Sequence, residues 1–226
     1  MKNVFLGEYI KQRRLDLGLT QEQLCDGICE PMTLSRLENG KQTPSRNRIN
    51  ALLQRLGLPD DRYFALLSKN ELEMEALQKE IVACNANHRV EEGFETLKKF
   101  EQIADHDDQI AQQFILRSKV LLGRLDQRYT PQEQIDLLMQ AIRLTVPRFN
   151  LDEIERFFYS TDEIKIINQI GIAYSDDGQN KKAADIYYQL LKYVRKHFEE
   201  IITSVGILPM VYFNYARVLD LCGRYE

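Results

Sequence analysis

Apolar residues recur along almost the whole chain at spacings of three and four, the period of a helix that buries one face. No alternating β-branched run ends in a hairpin turn, so the pattern predicts an all-α fold. Leu6, Ile10 and Leu17 mark a first helix, and Gly18 suits the left-handed position just past its end. Thr20-Gln21-Glu22-Gln23 is a capping box: Thr20 caps a second helix, and Gln23 reaches back to the free amides. Leu24 and Ile28 lie on the apolar side of that short helix. Pro31 fits the first position of a third helix, where its missing N–H is no loss. Leu34 and Leu37 give this helix its buried side, and Gly40 ends it. Pro44-Ser45 opens a fourth, with Ile49, Leu52, Leu53 and Leu56 on one face, and a fifth short helix is expected from Leu58-Pro59 to Leu67.

Two short helices, a tight turn and a third helix describe a helix-turn-helix unit inside a five-helix domain, residues 1–67. Leu34 and Leu37 face its core, while Met32, Thr33, Ser35 and Arg36 project outward. Small polar groups and one arginine suit a major groove, where base edges offer donors and acceptors. An ordinary solvated helix has the same periodicity.

From Ser68 onward the helical period continues to the end, so residues 68–226 read as a repeat array. "INQIGIAYSDDGQNKKAADIYYQLL" places Gly171, Tyr174, Gly178, Ala183 and Tyr187 at tetratricopeptide spacings. Small residues at Gly171 and Ala183 let two helices approach, and the tyrosines fill the space beside them. "YFNYARVLDLCGRYE" repeats the first half, with Ala216 in the place of Gly171 and Gly223 in that of Gly178. Residues 71–103 and 108–147 form weaker pairs, with Gly93 and Ala141 as small contacts. The overall expectation is a superhelical array of tetratricopeptide-like helix pairs. The chain stops at Tyr225-Glu226, where the second helix of a repeat should begin, so it reads as truncated.

Charge changes this picture only a little. Residues 1–66 hold 10 Lys/Arg against 8 Asp/Glu, and residues 67–226 hold 20 against 26. A slightly basic front on an acidic body suggests two partners of different character, although the front's charge alone does not establish nucleic-acid binding. Charged residues such as Glu8, Lys11, Arg13 and Arg14 interrupt the start, so no signal peptide is read. No apolar run approaches the roughly 18 residues of a membrane span, and a cytoplasmic location is expected. Cys25, Cys29, Cys84 and Cys222 lack CxxC spacing, and His88, His106 and His197 stand apart, so no metal or cofactor is expected and the cysteines read as reduced thiols. No nucleophile–base set and no phosphate-binding glycine loop is present, which argues against an enzyme.

"LGEYIKQRRLDLGLTQEQL…LSRLENGKQTPS" resembles the phage-repressor (XRE, Cro-type) helix-turn-helix family across residues 5–58. The resemblance implies that Gln21, Asn39 and Lys41, with Arg46 beside them, contact phosphates, and that Met32, Thr33 and Arg36 lie nearest the bases. It implies a buried ion pair between Arg14 and Glu38. The turn "CDGICE" is about one residue shorter than the family's, and Pro31 takes a place that often holds a polar contact residue. Together with the repeats, "LCDGICE" and "FNLDEIERFFYSTDEIKIINQIGIAY" are similar to the RRNPP group of bacterial regulators, especially its Rgg/PlcR-type members. That resemblance implies a dimeric transcription factor on an inverted-repeat operator, controlled by a short signalling peptide in the concave groove. The groove positions it implies are Lys165, Asn168, Ile172 and Ser175, then Met210, Phe213, Arg217 and Asp220, with Asn214 one position off. The alternative is a DNA-binding regulator whose repeats only dimerise or bind another protein.

Overall fold

The computed structural model describes residues 6–58, 69–198 and 206–223. Among them every regular element is helical. Four short helices lead: α1 (Leu6–Asp16), α2 (Gln21–Cys25), α3 (Pro31–Glu38) and α4 (Arg46–Arg55). Seven more follow: α5 (Lys69–Ala86), α6 (Val90–Ile103), α7 (Gln109–Leu125), α8 (Pro131–Thr145), α9 (Thr161–Asp176), α10 (Asn180–Phe198) and α11 (Ile207–Leu221). A 3-10 segment, Leu151–Arg156, precedes α9. The helix expected from Leu58 to Leu67 falls, beyond Leu58 itself, outside the described residues. No described helix is long and apolar enough to cross a membrane.

Local chemistry sets the starts of these helices. Thr20 caps α2, Thr130 caps α8 and Ser160 caps α9, each in a reciprocal box with Gln23, Glu133 and Glu163 three residues on. Pro31 and Pro131 stand at the first turns of α3 and α8, where no amide partner is lost. Helices α5 and α6, α7 and α8, and α9 and α10 pack as successive hairpins, and α11 closes on α9 and α10. In the α9–α10 pair, Gly171 lets Tyr187 lie flat against α9, and the tyrosine hydroxyl donates to the Asn168 carbonyl at 2.8 Å.

The apolar faces gather into three cores. One, around Ile10, Leu24, Leu34, Leu37, Ile49, Leu52 and Leu53, holds α1–α4 together. Another joins α5, α6 and α7 through Met74, Ile81, Leu97, Phe100 and Leu122, and the largest runs from Val120 on α7 to Val218 on α11. The first core also takes residues from beyond its own four helices: Ile110 of α7 and Phe158, just before α9, pack against it.

A buried arginine fastens the two halves. Arg55, at the end of α4, donates through Nη1 to the carbonyls of Leu24 (3.0 Å) and Asp26 (2.7 Å). Through Nη2 it donates to the Thr145 carbonyl (2.7 Å) and to Glu163 Oε1 (2.8 Å), with both charged side chains almost wholly buried. Thr145 Oγ1 donates to the same Glu163 oxygen at 2.6 Å, and Gln113 Nε2 donates to Thr145 Oγ1 at 2.6 Å. Gly27, at φ +73°, lies so close to the Thr145 backbone that an added Cβ would stand 2.0 Å from the Thr145 carbonyl oxygen. Ion pairs Arg46–Glu75 (2.7 Å) and Arg148–Asp26 (3.4 Å) flank this junction.

Candidate nucleic-acid interface

The site is α3 with the turn before it and the loop after it. Cys25 ends α2, and Asp26 (φ −52°, ψ 119°) followed by left-handed Gly27 makes a type II turn, a geometry that needs glycine in its third place. The Cys25 carbonyl accepts the amides of both Ile28 (2.8 Å) and Cys29 (3.1 Å), which brings the chain round tightly. Leu34 and Leu37 then bury one side of α3. Its other side is open: Met32 is 64% exposed, Arg36 is exposed, and Thr33 and Ser35 are half-buried.

At its far end α3 closes in a Schellman motif. The Lys41 amide donates to the Arg36 carbonyl (2.8 Å) and the Gly40 amide to the Leu37 carbonyl (3.0 Å), with Gly40 at φ +67°. This fixes Lys41, which is exposed, just beyond the helix. Asn39 donates its side-chain amide to the Ser35 carbonyl at 2.7 Å.

Under the reading face lies a charged clamp. Arg14 Nε donates to Glu38 Oε1 at 2.7 Å and Nη2 to Oε2 at 2.9 Å, while Nη1 donates to the Leu19 carbonyl at 2.7 Å. The Glu38 hydrogen bonds raise the arginine's pKa against the opposing effect of burial. Gln21 Nε2 adds a third donor to this carboxylate, at 2.7 Å from Oε2. The clamp ties α1, the start of α2 and the end of α3 together, so the open face is presented by a braced helix.

Of the phosphate contacts expected from the sequence, Lys41 and Asn39 stand exposed at the rim of α3. In the DNA-free chain the other two already have acidic partners: Gln21 donates to Glu38, and Arg46 donates to Glu75 Oε2 at 2.7 Å.

The expected groove residues divide. Asn168 is only 4% exposed, accepts from the Asn214 amide at 2.9 Å and lies inside the α9–α11 contact. Ser175 is also buried, with its hydroxyl 3.0 Å from Asn180 Oδ1. Both are corrections, since helix packing occupies the faces that the repeat numbering turned toward a ligand. Lys165 pairs with Asp162 at 3.0 Å, and Ile172, Met210 and Asn214 are half-buried. Phe213 (72% exposed), Arg217 and Asp220 are open.

Sequence reasoning missed a polar ladder across the first helices of the hairpins. Arg117 Nε of α7 donates to Gln169 of α9 at 3.3 Å and its Nη1 lies 3.6 Å from Asp162. Two turns further along, Arg124 pairs with Asp176 at 2.9 Å, and Arg217 of α11 reaches the same carboxylate at 3.3 Å. The signal was present: Arg117 and Arg124 are separated as Gln169 and Asp176 are, by two helical turns.

Residues 6–63 match the helix-turn-helix domain family. That span is a helix-turn-helix domain. The whole fold is similar to that of PlcR from Bacillus thuringiensis, solved in complex with the peptide PapR7 and DNA. The two share 23% sequence identity at a TM-score of 0.54, over 98% of this chain and 74% of that one. The apo form of the competence regulator ComR from Streptococcus vestibularis aligns over 96% of this chain and 78% of its own, at 18% identity. Its TM-score of 0.24 is too low to bear on the fold. A comparison with curated proteins gives no match.

Proposed function

We propose that the chain is a dimeric, sequence-specific transcriptional regulator whose DNA binding is set by a short signalling peptide, a quorum-sensing arrangement. The observation that carries this reading is the outer face of α3: Met32 and Arg36 stand open, with Thr33 half-buried between them, on a helix braced by Arg14 and Glu38, inside a helix-turn-helix domain. Residues 1–67 read DNA in this proposal, and residues 68–226 sense the peptide. PlcR, whose fold is similar, was solved with a peptide and DNA, which supports the pairing of roles.

For the peptide, the ladder of Arg117, Gln169, Arg124, Asp176 and Arg217 replaces the buried Asn168 and Ser175 as the proposed wall. Ile172, Met210, Asn214 and Asp220, on the same helices α9 and α11, stay in the proposal as flanking positions. A guanidinium suits a peptide's terminal carboxylate, and α7, α9 and α11 all contribute to the ladder. The operator expected for a dimer is an inverted repeat with half-site centres about 34 Å apart or a multiple of that.

Fluorescence anisotropy with genomic fragments around the gene tests the DNA half, and the same titration with synthetic peptides from nearby short reading frames tests the peptide half. Fragment binding at a nonspecific level throughout would defeat the first. Specific binding that no peptide shifts would leave the alternative, in which the helix pairs only dimerise or bind another protein. One observation favours a protein contact there: Phe213 and Leu221 stand exposed on α11.

A further inference from the structure

One face of α4 carries amides in place of aliphatic side chains. Asn47, Asn50 and Gln54 recur along it at helical spacing, and with Gln78 of α5 and Gln113 of α7 they line a cavity of about 200 Å³ between the two halves. Ile28, Ile110 and Phe114 give the cavity an apolar side. Two of its polar groups are left incomplete. Asn50 Oδ1 is buried and accepts no hydrogen bond, a state that costs free energy until a donor arrives. Arg117, with 16% of its side chain exposed, uses Nε on Gln169 at 3.3 Å. Among the described residues its two Nη groups make no hydrogen bond, and Asp162 stands 3.6 Å from Nη1. Burial lowers this arginine's pKa against the attraction of Asp162, as expected of a cation short of anionic partners.

We infer that this cavity binds a small zwitterion, a free α-amino acid, held between the DNA-reading half and the body. The charges on its wall point to a ligand of both signs. Glu163 lines the cavity but is already matched by Arg55 at 2.8 Å. Arg117 and Asp162 remain, one cation and one carboxylate, the latter also held by Lys165 at 3.0 Å. The ligand's carboxylate takes the Nη groups of Arg117, whose fork suits two oxygens. Its ammonium donates to Asn50 Oδ1 and to Asp162, and its side chain lies against Ile28, Ile110 and Phe114. Size limits the class. Benzene occupies a cavity of about 150 Å³, so about 200 Å³ admits an amino acid up to the bulk of leucine and is too small for a peptide.

The position of the cavity gives its occupant leverage. Its wall includes α4 of the reading half, α7 and the start of α9, and it contains Glu163 of the buried Arg55 pair. A ligand there joins the halves where they already meet, and it stabilises the docked arrangement over any other. The site goes beyond the peptide reading and does not need it. Its effect on DNA rests on the DNA half of the function proposed above.

Full-length protein is titrated calorimetrically with alanine, serine, valine and leucine in turn, and its Tm is read with and without each. At least one should bind at a single site per chain and raise Tm by several degrees at saturation. For the best binder, the amide, which lacks the carboxylate, and the N-acetyl derivative, which lacks the ammonium, should each bind about tenfold more weakly or worse. No heat and no Tm shift with any of the four would leave a cavity filled by water and overturn the site. An N-acetyl derivative that binds as well as the free amino acid would make the cavity a seat for the last residue of a peptide, and the zwitterion reading would fall. Asn50→Leu guards against misfolding: Oδ1 has no partner to lose, so the ligand-free Tm should hold or rise while amino-acid binding disappears. Binding that survives Asn50→Leu places the ligand elsewhere and overturns the assignment. On a specific DNA fragment, saturating amino acid should shift affinity several-fold, and equal affinity overturns the coupling. A protein that binds no fragment specifically counts against the proposed function, while the calorimetry still decides the cavity.

Discussion

Arg36 is the cation that α3 turns outward, and arginine bidentate to guanine is the commonest specific base contact. Arg36→Ala should cost roughly 1–3 kcal/mol on the specific fragment and much less on random DNA. Lys41→Ala should instead weaken all sequences alike and reduce the salt slope by about one. Equal losses on both DNAs for Arg36→Ala would make it a phosphate anchor. The outward side of α3 was legible because Leu34 and Leu37 fix its rotation by period alone. Arg14 and Glu38 were legible only through family resemblance, since 24 residues separate them and no local pattern links them. The bond from Gln21 to Glu38 was hidden for a related reason. A polar side chain in the first turn of a short helix looks solvated until the carboxylate 17 residues away is placed beside it.

At the level of elements, the helix starts were the clearest part of the sequence, because a cap is a local event within four residues. Gly18 and Gly40 could likewise be placed at helix ends, and both have left-handed φ. Gly27 could not be read so fully, because its closest neighbour is Thr145 on another helix. This gives a paired test. Gly178, at φ +76° with open space around it, reports the cost of a left-handed alanine alone, roughly 1–2 kcal/mol. Gly27→Ala adds a collision with backbone, so its loss in urea denaturation should clearly exceed that of Gly178→Ala. Equal losses would mean that the turn and α8 separate freely. The last turn of α10 offers a pH test. His197 packs against Phe158 and Tyr193, and burial, with Lys196 nearby, lowers its pKa. The unfolded chain then binds the proton more readily than the folded one, so stability falls as pH drops through the ordinary histidine range near about 6.5. His197→Phe should flatten that part of the stability–pH profile, and an unchanged slope would assign it to other groups.

For the whole molecule, the uneven charge along the sequence suggested two partners, yet part of it serves to join the halves. Arg55 and Arg46 of the front meet Glu163 and Glu75 of the body, and Asp26 meets Arg148 in the opposite sense. Nothing in the sequence marks Arg55 for this role. Its acceptor lies 108 residues away, a separation at which sequence pattern carries no information. Arg55→Met would leave Glu163 buried without its cation and should cost about 3–5 kcal/mol. Calorimetry should then resolve two unfolding transitions where the parent shows one. A single transition in the variant would show that the apolar contacts of Ile110 and Phe158 suffice to couple the halves. The hairpin order of α5–α10 was legible from helical period and small residues, whereas the faces meeting between hairpins were not, which is why Asn168 was assigned to the wrong side.

The packing of Phe158 against the first core also bears on how the protein is made. The ribosome releases the DNA-reading helices first, but about 100 further residues must be added after Leu58 before Phe158 exists. At roughly 5–20 residues per second, that interval is on the order of 5–20 s. During it the nascent helix-turn-helix lacks the packing of Phe158 against its core, and Arg55 lacks its carboxylate. A chain in this state is a natural client for a ribosome-associated chaperone, and its first core is completed only when more than half of residues 68–226 have been made.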